Sequence, residues 1–167
     1  MTFTRKIAQS VLLIALAASA PLAAATAPRI ANAQLKQPLP LPYDTSADAD
    51  AQIAAAKKRA KASGKLLLID LGGNWCLDCR VLAGVMEIPA VHAFLKKHYE
   101  LVSVDIGRRD KNLQIPTHYG LDLQGVPALL VINPKTDKLL NRDKVAALAD
   151  ARSMTPQALA DWLAQWV

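Results

Sequence analysis

Cysteine is scarce: Cys76 and Cys79 are the two in a chain of 167 residues. That number excludes a multi-disulfide scaffold and, without further ligands, a four-thiolate zinc site. Acidic residues are missing from residues 1–33, which hold Arg5, Lys6 and Arg29. The whole chain carries 20 Lys+Arg against 14 Asp+Glu, a net charge of +6, and removing those three cations halves it. The basicity is thus partly a property of the N-terminal segment, and no nucleic-acid partner is expected. Near the start the apolar run is short: Val11 to Ala20 is ten residues, where a bilayer core needs about 20. Aromatics are only 5%. No internal repeat is present. What remains is 52% hydrophobic and 20% charged residues, a globular composition long enough for one domain.

Residues 1–33 carry the marks of an export signal. Arg5 and Lys6 form a positive start, the apolar run follows, and Pro21 breaks it. Ala31-Asn32-Ala33 fits the small-x-small cleavage pattern. Cleavage near Ala33 is expected to leave a mature chain from Gln34 in the periplasm, where a Cys pair can be oxidised or exchange electrons. An uncleaved membrane anchor is the rival reading. No Cys lies near the cleavage site, so a lipid-attached form has no support.

Residues 34–45 carry Pro38, Pro40 and Pro42 and read as an extended lead-in, since proline fixes φ and lacks an N–H. Residues 46–167 form the domain. Ser46 is the expected N-cap of a first helix, stopped by Gly64. The basic cluster on that helix, Lys57 to Lys61, reads as a solvated face that complements the helix dipole. Lys65 to Leu71 is a continuous apolar run, as in a strand covered on both faces. Residues 76–86 and the stretch from Pro89 are helical. Leu101 to Asp105 is a second strand, expected parallel to the first by the crossover rule. A short helix is possible around Asn112 to Tyr119. Ala128 to Ile132 is a third strand and Lys138 to Asn141 a short paired one. Residues 142–154 carry no clear pattern. Thr155 and Pro156 open a last helix to Trp166, with Trp162 and Trp166 read as core. The order of elements is that of an α/β layered domain.

The chemistry concentrates in Trp75-Cys76-Leu77-Asp78-Cys79. A first Cys at a helix start meets unpaired N–H groups and the positive end of the dipole, which favour thiolate. The second, three residues on, shares its helix face and is close enough to bridge. Cys76 can therefore attack a partner disulfide, and Cys79 can resolve the mixed disulfide. The rival readings of the pair are half a zinc site and an inert structural disulfide. Zinc would need two ligands from His92, His98 and His118, none at metal-like spacing, so no metal is expected.

LLLIDLGGNWCLDCR followed by GVPALLVI resembles the thioredoxin superfamily, over most of residues 47–167. The resemblance implies a thioredoxin fold, with a central mixed β-sheet flanked by helices. It implies a cis peptide at Val126-Pro127, facing the disulfide, with the Val126 backbone free to pair with substrate. It makes Asp70 the buried acid beneath Cys79, exchanging its proton. It makes Trp75 a shield for the sulfur and a contact for partners. The activity implied is thiol–disulfide oxidoreduction without a dissociable cofactor, because the pair itself holds the two electrons.

Three departures accompany the resemblance. Leu77-Asp78 stands where cytoplasmic thioredoxin has Gly-Pro. A negative charge at Asp78 opposes thiolate formation and is expected to make the pair more reducing, less so if it points into solvent. Gly84 stands where many members place a helix-kinking proline. Residues 107–124 form a longer segment than in minimal thioredoxins, and Arg108, Arg109 and Lys111 there read as a solvated loop or a selector of acidic partners. The expected role is an exported oxidoreductase on the reducing side, acting on protein disulfides and fed by a membrane thiol donor. The other readings are a non-catalytic adaptor or Cu(I)-handling chaperone, and a structural domain with a permanent disulfide. The sequence leaves the oligomeric state open.

Overall fold

The computed structural model of the chain describes residues 25–30 and 35–167. The expected export signal's charged start, apolar run and cleavage motif lie outside the described residues. Four strands form one mixed sheet in the order β2-β1-β3-β4. β1 (Leu66–Gly72) is central and pairs in parallel with β2 (Tyr99–Asp105), as the crossover rule requires. β3 (Ala128–Asn133) lies antiparallel to β1 on its other side, and β4 (Lys138–Leu139) lies antiparallel to β3.

The sheet has a helical layer on each face. Leu67, Ile69 and Leu71 of β1 pack with α1 (Ala49–Ser63) and with Ile115 of the short α4 (Gln114–His118). Leu68 faces the opposite way, with Leu129 and Val131 of β3. That side is covered by α2 (Leu77–Met86), α3 (Pro89–His98) and α5 (Pro156–Ala164). Since strand side chains alternate, Asp70 and Gly72 share Leu68's face and lie under α2. A run without polar alternation, LLLIDL, is what a strand covered on both faces requires. Among the described residues, no helix is long and apolar enough to cross a membrane.

Local structure departs from expectation at several element ends, and β2 starts at Tyr99, two residues before the expected Leu101. The N-cap of α1 is Asp48, whose carboxylate accepts from Ala51 N at 2.9 Å. Ser46 is instead captured by Asp44, which accepts from both its N–H and its hydroxyl. β4 ends at Leu139, because Asn141 takes over the pairing. Its amide accepts from Val131 N and donates to Leu129 O, so a side chain does a strand's bonding. Residues 142–154, which have no apolar period, contain two short 3-10 turns, Arg142–Lys144 and Ala151–Ser153. α5 stops at Ala164, before Trp166.

The proline-rich lead-in is extended, and it is bound tightly to the domain. The Arg80 guanidinium on α2 donates to Leu39 O and Pro40 O at 2.9 and 3.2 Å. Leu35 and Leu39 lie against Gly84, so the glycine leaves room for the lead-in on α2. Further on, Tyr43 N donates to Asn74 Oδ1, and Asn74 Nδ2 donates back to Tyr43 O. Upstream, residues 25–30 run along α5: Ala25 N donates to Val167 O, and Gln157 holds Ile30 N and Pro28 O.

Candidate active site

β1 ends at Gly72, and the turn Gly73-Asn74-Trp75 delivers the chain to the start of α2. Cys76 is the N-cap residue. Its Sγ accepts from Cys79 N at 3.1 Å, a place that serine or aspartate oxygens usually fill. Cys76 and Cys79 are joined in a disulfide with a Cα–Cα separation of 5.3 Å. Cys79 is fully buried and Cys76 nearly so. When the bond opens, a thiolate at Cys76 inherits the N–H of Cys79 and the positive end of α2, both of which stabilise negative charge.

The loop before β3 comes to the same place. The Val126-Pro127 peptide is cis, and Val126 O lies 3.8 Å from Cys76 Sγ. Val126 also packs on the cluster formed by Tyr43, Cys76 and Cys79. Trp75 flanks the pair with 48% of its surface exposed. Its indole N–H donates to Gly107 O at 2.7 Å, and the Arg108 guanidinium lies 5.2 Å above its ring. The long segment before Val126 therefore borders the site through Arg108. Lys111 instead pairs with Asp105. Leu77 is exposed beside the pair.

Two aspartates accompany the cysteines. Asp70 is 1% exposed and faces α2 from the sheet. Burial pushes its carboxyl up to about 7, with the hydrogen bond from Tyr43 pulling partly back. Tyr43 Oη donates to Asp70 Oδ2 at 2.9 Å, while Oδ1 has no partner among the described residues. Asp70 also lines a cavity of about 410 Å³, with Met86, Leu95 and Tyr99 among its walls.

Asp78 is in a different setting. Its side chain is buried, which opposes ionisation, but hydrogen bonds from Arg152 outweigh this and hold it below the usual carboxylate range. Arg152 Nε reaches both oxygens, at 2.9 and 3.1 Å, and Arg152 N donates to Oδ1 at 2.9 Å. The charge expected beside the sulfurs thus carries a guanidinium of its own.

The pair, Trp75, Asp70 and Val126-Pro127 are brought together by the fold. Two contributors escaped the sequence reading. Arg152 lies in the stretch without pattern, 74 residues from its partner. Tyr43 lies in the lead-in, where its signal was that of a lone aromatic: no other occurs between residues 34 and 74. Gly72 records its presence. A Cβ there would collide with the Tyr43 ring and stand 2.9 Å from Cys79 Sγ. Among the described residues, no group of three His, Cys, Asp or Glu side chains could hold a metal, with His92, His98 and His118 included.

A mixed sheet with a cysteine pair at the start of a helix, faced by a cis-proline, defines a thioredoxin-fold protein with a redox-capable disulfide. The chain belongs to the thioredoxin-like family, whose model matches residues 48–134. It is similar to a disulphide isomerase from Xylella fastidiosa Temecula1, at 38% identity over 76% of this chain and 97% of that one, with a TM-score of 0.71. A more distant likeness is to the oxidised C-terminal domain of Neisseria meningitidis DsbD, at 23% identity over 56% of this chain and 80% of that one, with a TM-score of 0.44. No curated protein sequence matches the chain significantly.

Proposed function

We propose that this chain is an exported, periplasmic thiol–disulfide oxidoreductase working on the reducing or isomerising side. The observation that carries the reading is Cys76 at the N-cap of α2, its sulfur holding a backbone N–H while bonded to a fully buried Cys79. In the reduced protein, the Cys76 thiolate attacks a substrate disulfide and one substrate sulfur leaves. Cys79 then loses its proton and attacks Cys76, which releases the second substrate thiol and closes the pair. Asp70, ionising near neutral pH, is the acceptor for that proton. Trp75, Val126 and Pro127 form the docking surface, with the Val126 backbone beside the sulfur it serves. Leu77 and Asp78 complete the redox tuning. Arg152 offsets the charge of Asp78, so its pull toward a more reducing pair is small.

The substrates are protein disulfides, and the two electrons reside in the pair, so the exchange needs no dissociable cofactor. A membrane thiol carrier is the electron donor that an oxidising compartment requires. The isomerising side is supported by the likeness to the Xylella disulphide isomerase, at 38% identity over the aligned region. Insulin reduction with dithiothreitol tests the reading: wild-type protein accelerates it and Cys76→Ser abolishes the acceleration. Turnover that survives Cys76→Ser overturns the mechanism. The reduction potential sorts the direction. A value near thioredoxin's, about −270 mV, fits the reducing side, and one near −120 mV excludes it.

A further inference from the structure

We propose that the Tyr43 hydroxyl relays the proton between Cys79 and Asp70. This inference rests on the thiol-exchange reading above. Tyr43 is 2% exposed and belongs to one packed cluster with the two cysteines. Asp70 and Gly72 lie two residues apart on one face of β1, about 7 Å along the strand. Cys79 Sγ stands over Gly72, and the Tyr43 hydroxyl occupies the same small space while donating to Asp70 Oδ2. A Cβ on Gly72 would collide with the hydroxyl and stand 2.9 Å from the sulfur, so the group bonded to the carboxylate is also a close neighbour of Cys79 Sγ. It has one donor and two acceptor positions, so donation to Asp70 leaves it able to accept from a Cys79 S–H.

The resolving step then balances as follows. The Cys79 S–H bond breaks and its proton passes to Tyr43 Oη, while the proton of Tyr43 passes to Asp70 Oδ2. The Cys79 sulfur bonds to Cys76 Sγ, the Cys76–substrate bond breaks, and the substrate thiolate leaves with the electron pair. No tyrosinate forms, since burial and the Asp70 carboxylate both push the ionisation of Tyr43 far up. The two transfers are thus concerted. Rotation of the protonated carboxyl then carries its proton to the other side, where Oδ1 has no partner among the described residues and the carboxyl lines the 410 Å³ cavity into which the proton is released. Lys65, Glu87, His92, Lys96 and Glu100 line that cavity too, and Asp105 acts on Tyr43 from β2.

The placement of Tyr43 is enforced. The lead-in is anchored by Arg80 before it and by the reciprocal Asn74 bonds at Tyr43 itself. The segment outside the matched family region thereby contributes a group to the reaction.

The test is stopped-flow resolution of a mixed disulfide between Cys76 and a model peptide. Tyr43→Phe, which keeps the ring, is expected to slow resolution by about tenfold or more while leaving formation of the mixed disulfide unchanged. Asp70→Asn is expected to slow the same step. Tyr43→Phe/Asp70→Asn together are expected to be no slower than the slower single variant, because one path is removed once. Wild-type resolution speed in Tyr43→Phe overturns the relay, and so do losses that multiply in the double variant. A proton inventory in mixtures of H2O and D2O reads the native protein without any substitution. A curved plot, from two protons in flight, supports the relay, and a straight line overturns it. Failure of the thiol-exchange reading looks different: no mixed disulfide accumulates even with Cys79→Ala.

Discussion

The ground behind the disulfide and the ground beside it each hold one buried aspartate, and the two behave in opposite ways. Behind it, Asp70 is buried with a neutral hydroxyl bonded to it, and its carboxyl is pushed up to about 7. Beside it, Asp78 meets a guanidinium, and its carboxyl is held low. Burial opposes ionisation at both. A full positive charge outweighs that cost and a single neutral hydrogen bond does not. The same residue type thus has its ionisation moved up toward neutral pH in one place and down, against a guanidinium, in the other.

The contrast can be broken at several points, and the largest effect is expected in stability. Well below pH 4, Asp70 is protonated folded and unfolded. Between about 4 and 7 only the folded state keeps the proton, and above 7 the folded state carries the buried charge. Stability is therefore expected to fall as pH rises from about 4 to about 7, by up to about 4 kcal/mol, and then to level off. Urea melts at pH 5 and pH 8 check it, and Asp70→Asn should remove the slope. If the slope survives Asp70→Asn, the carboxyl behind the pair is not the group responsible.

Next is the kinetic effect. Asp70→Asn should slow resolution of the mixed disulfide by roughly a hundredfold and make Cys76-linked substrate accumulate on non-reducing gels. Asp78→Asn should not, because that carboxylate is bound to Arg152. Equal slowing by both substitutions would erase the distinction drawn above.

A smaller effect is expected where the lead-in joins the site. Asn74→Ala removes both bonds to the Tyr43 backbone and should cost about 1–3 kcal/mol by chemical denaturation. Smallest is the effect of Arg152→Ala, which leaves the Asp78 charge without its partner. The reduction potential should become more negative by no more than about 30 mV, a tenfold change in the exchange constant, read by equilibration with glutathione. A shift toward the oxidising side would show that Asp78 does not act on the pair through its charge.

Much of the fold was legible because its signals are local. The unbroken apolar run of β1, Gly64 after α1, Pro89 at the start of α3 and the Thr155-Pro156 start of α5 each lie within a few residues of the structure they specify. The cysteine pair was legible for the same reason: a helix start and a three-residue spacing are short-range properties. The errors also have local causes. Ser46 and Asp48 are both capable caps, and Asp44, two residues upstream of Ser46, decided between them by capturing it. The end of β4 was misplaced because Asn141, a poor strand residue, bonds to β3 through its side chain.

The site was legible in its cysteines and not in the partners that set their surroundings. Asp70 could be placed beneath Cys79 by resemblance, but Tyr43 bonds to it across 27 residues. Proline-rich segments read as linkers, and nothing in residues 35–42 says that Arg80 will hold them. The effect of Asp78 depended on Arg152, in a stretch with no period to read.

From residue order alone came the strands, the helices and a sulfur at the start of α2, because backbone sterics, side-chain period and end caps act over one or two turns. Only folding decided which carboxyl keeps its proton near pH 7, which one is ionised against an arginine, and that a tyrosine ahead of the domain reaches the disulfide. Those outcomes depend on exclusion of water and on charges brought together from distant positions, and neither exists until the layers have closed.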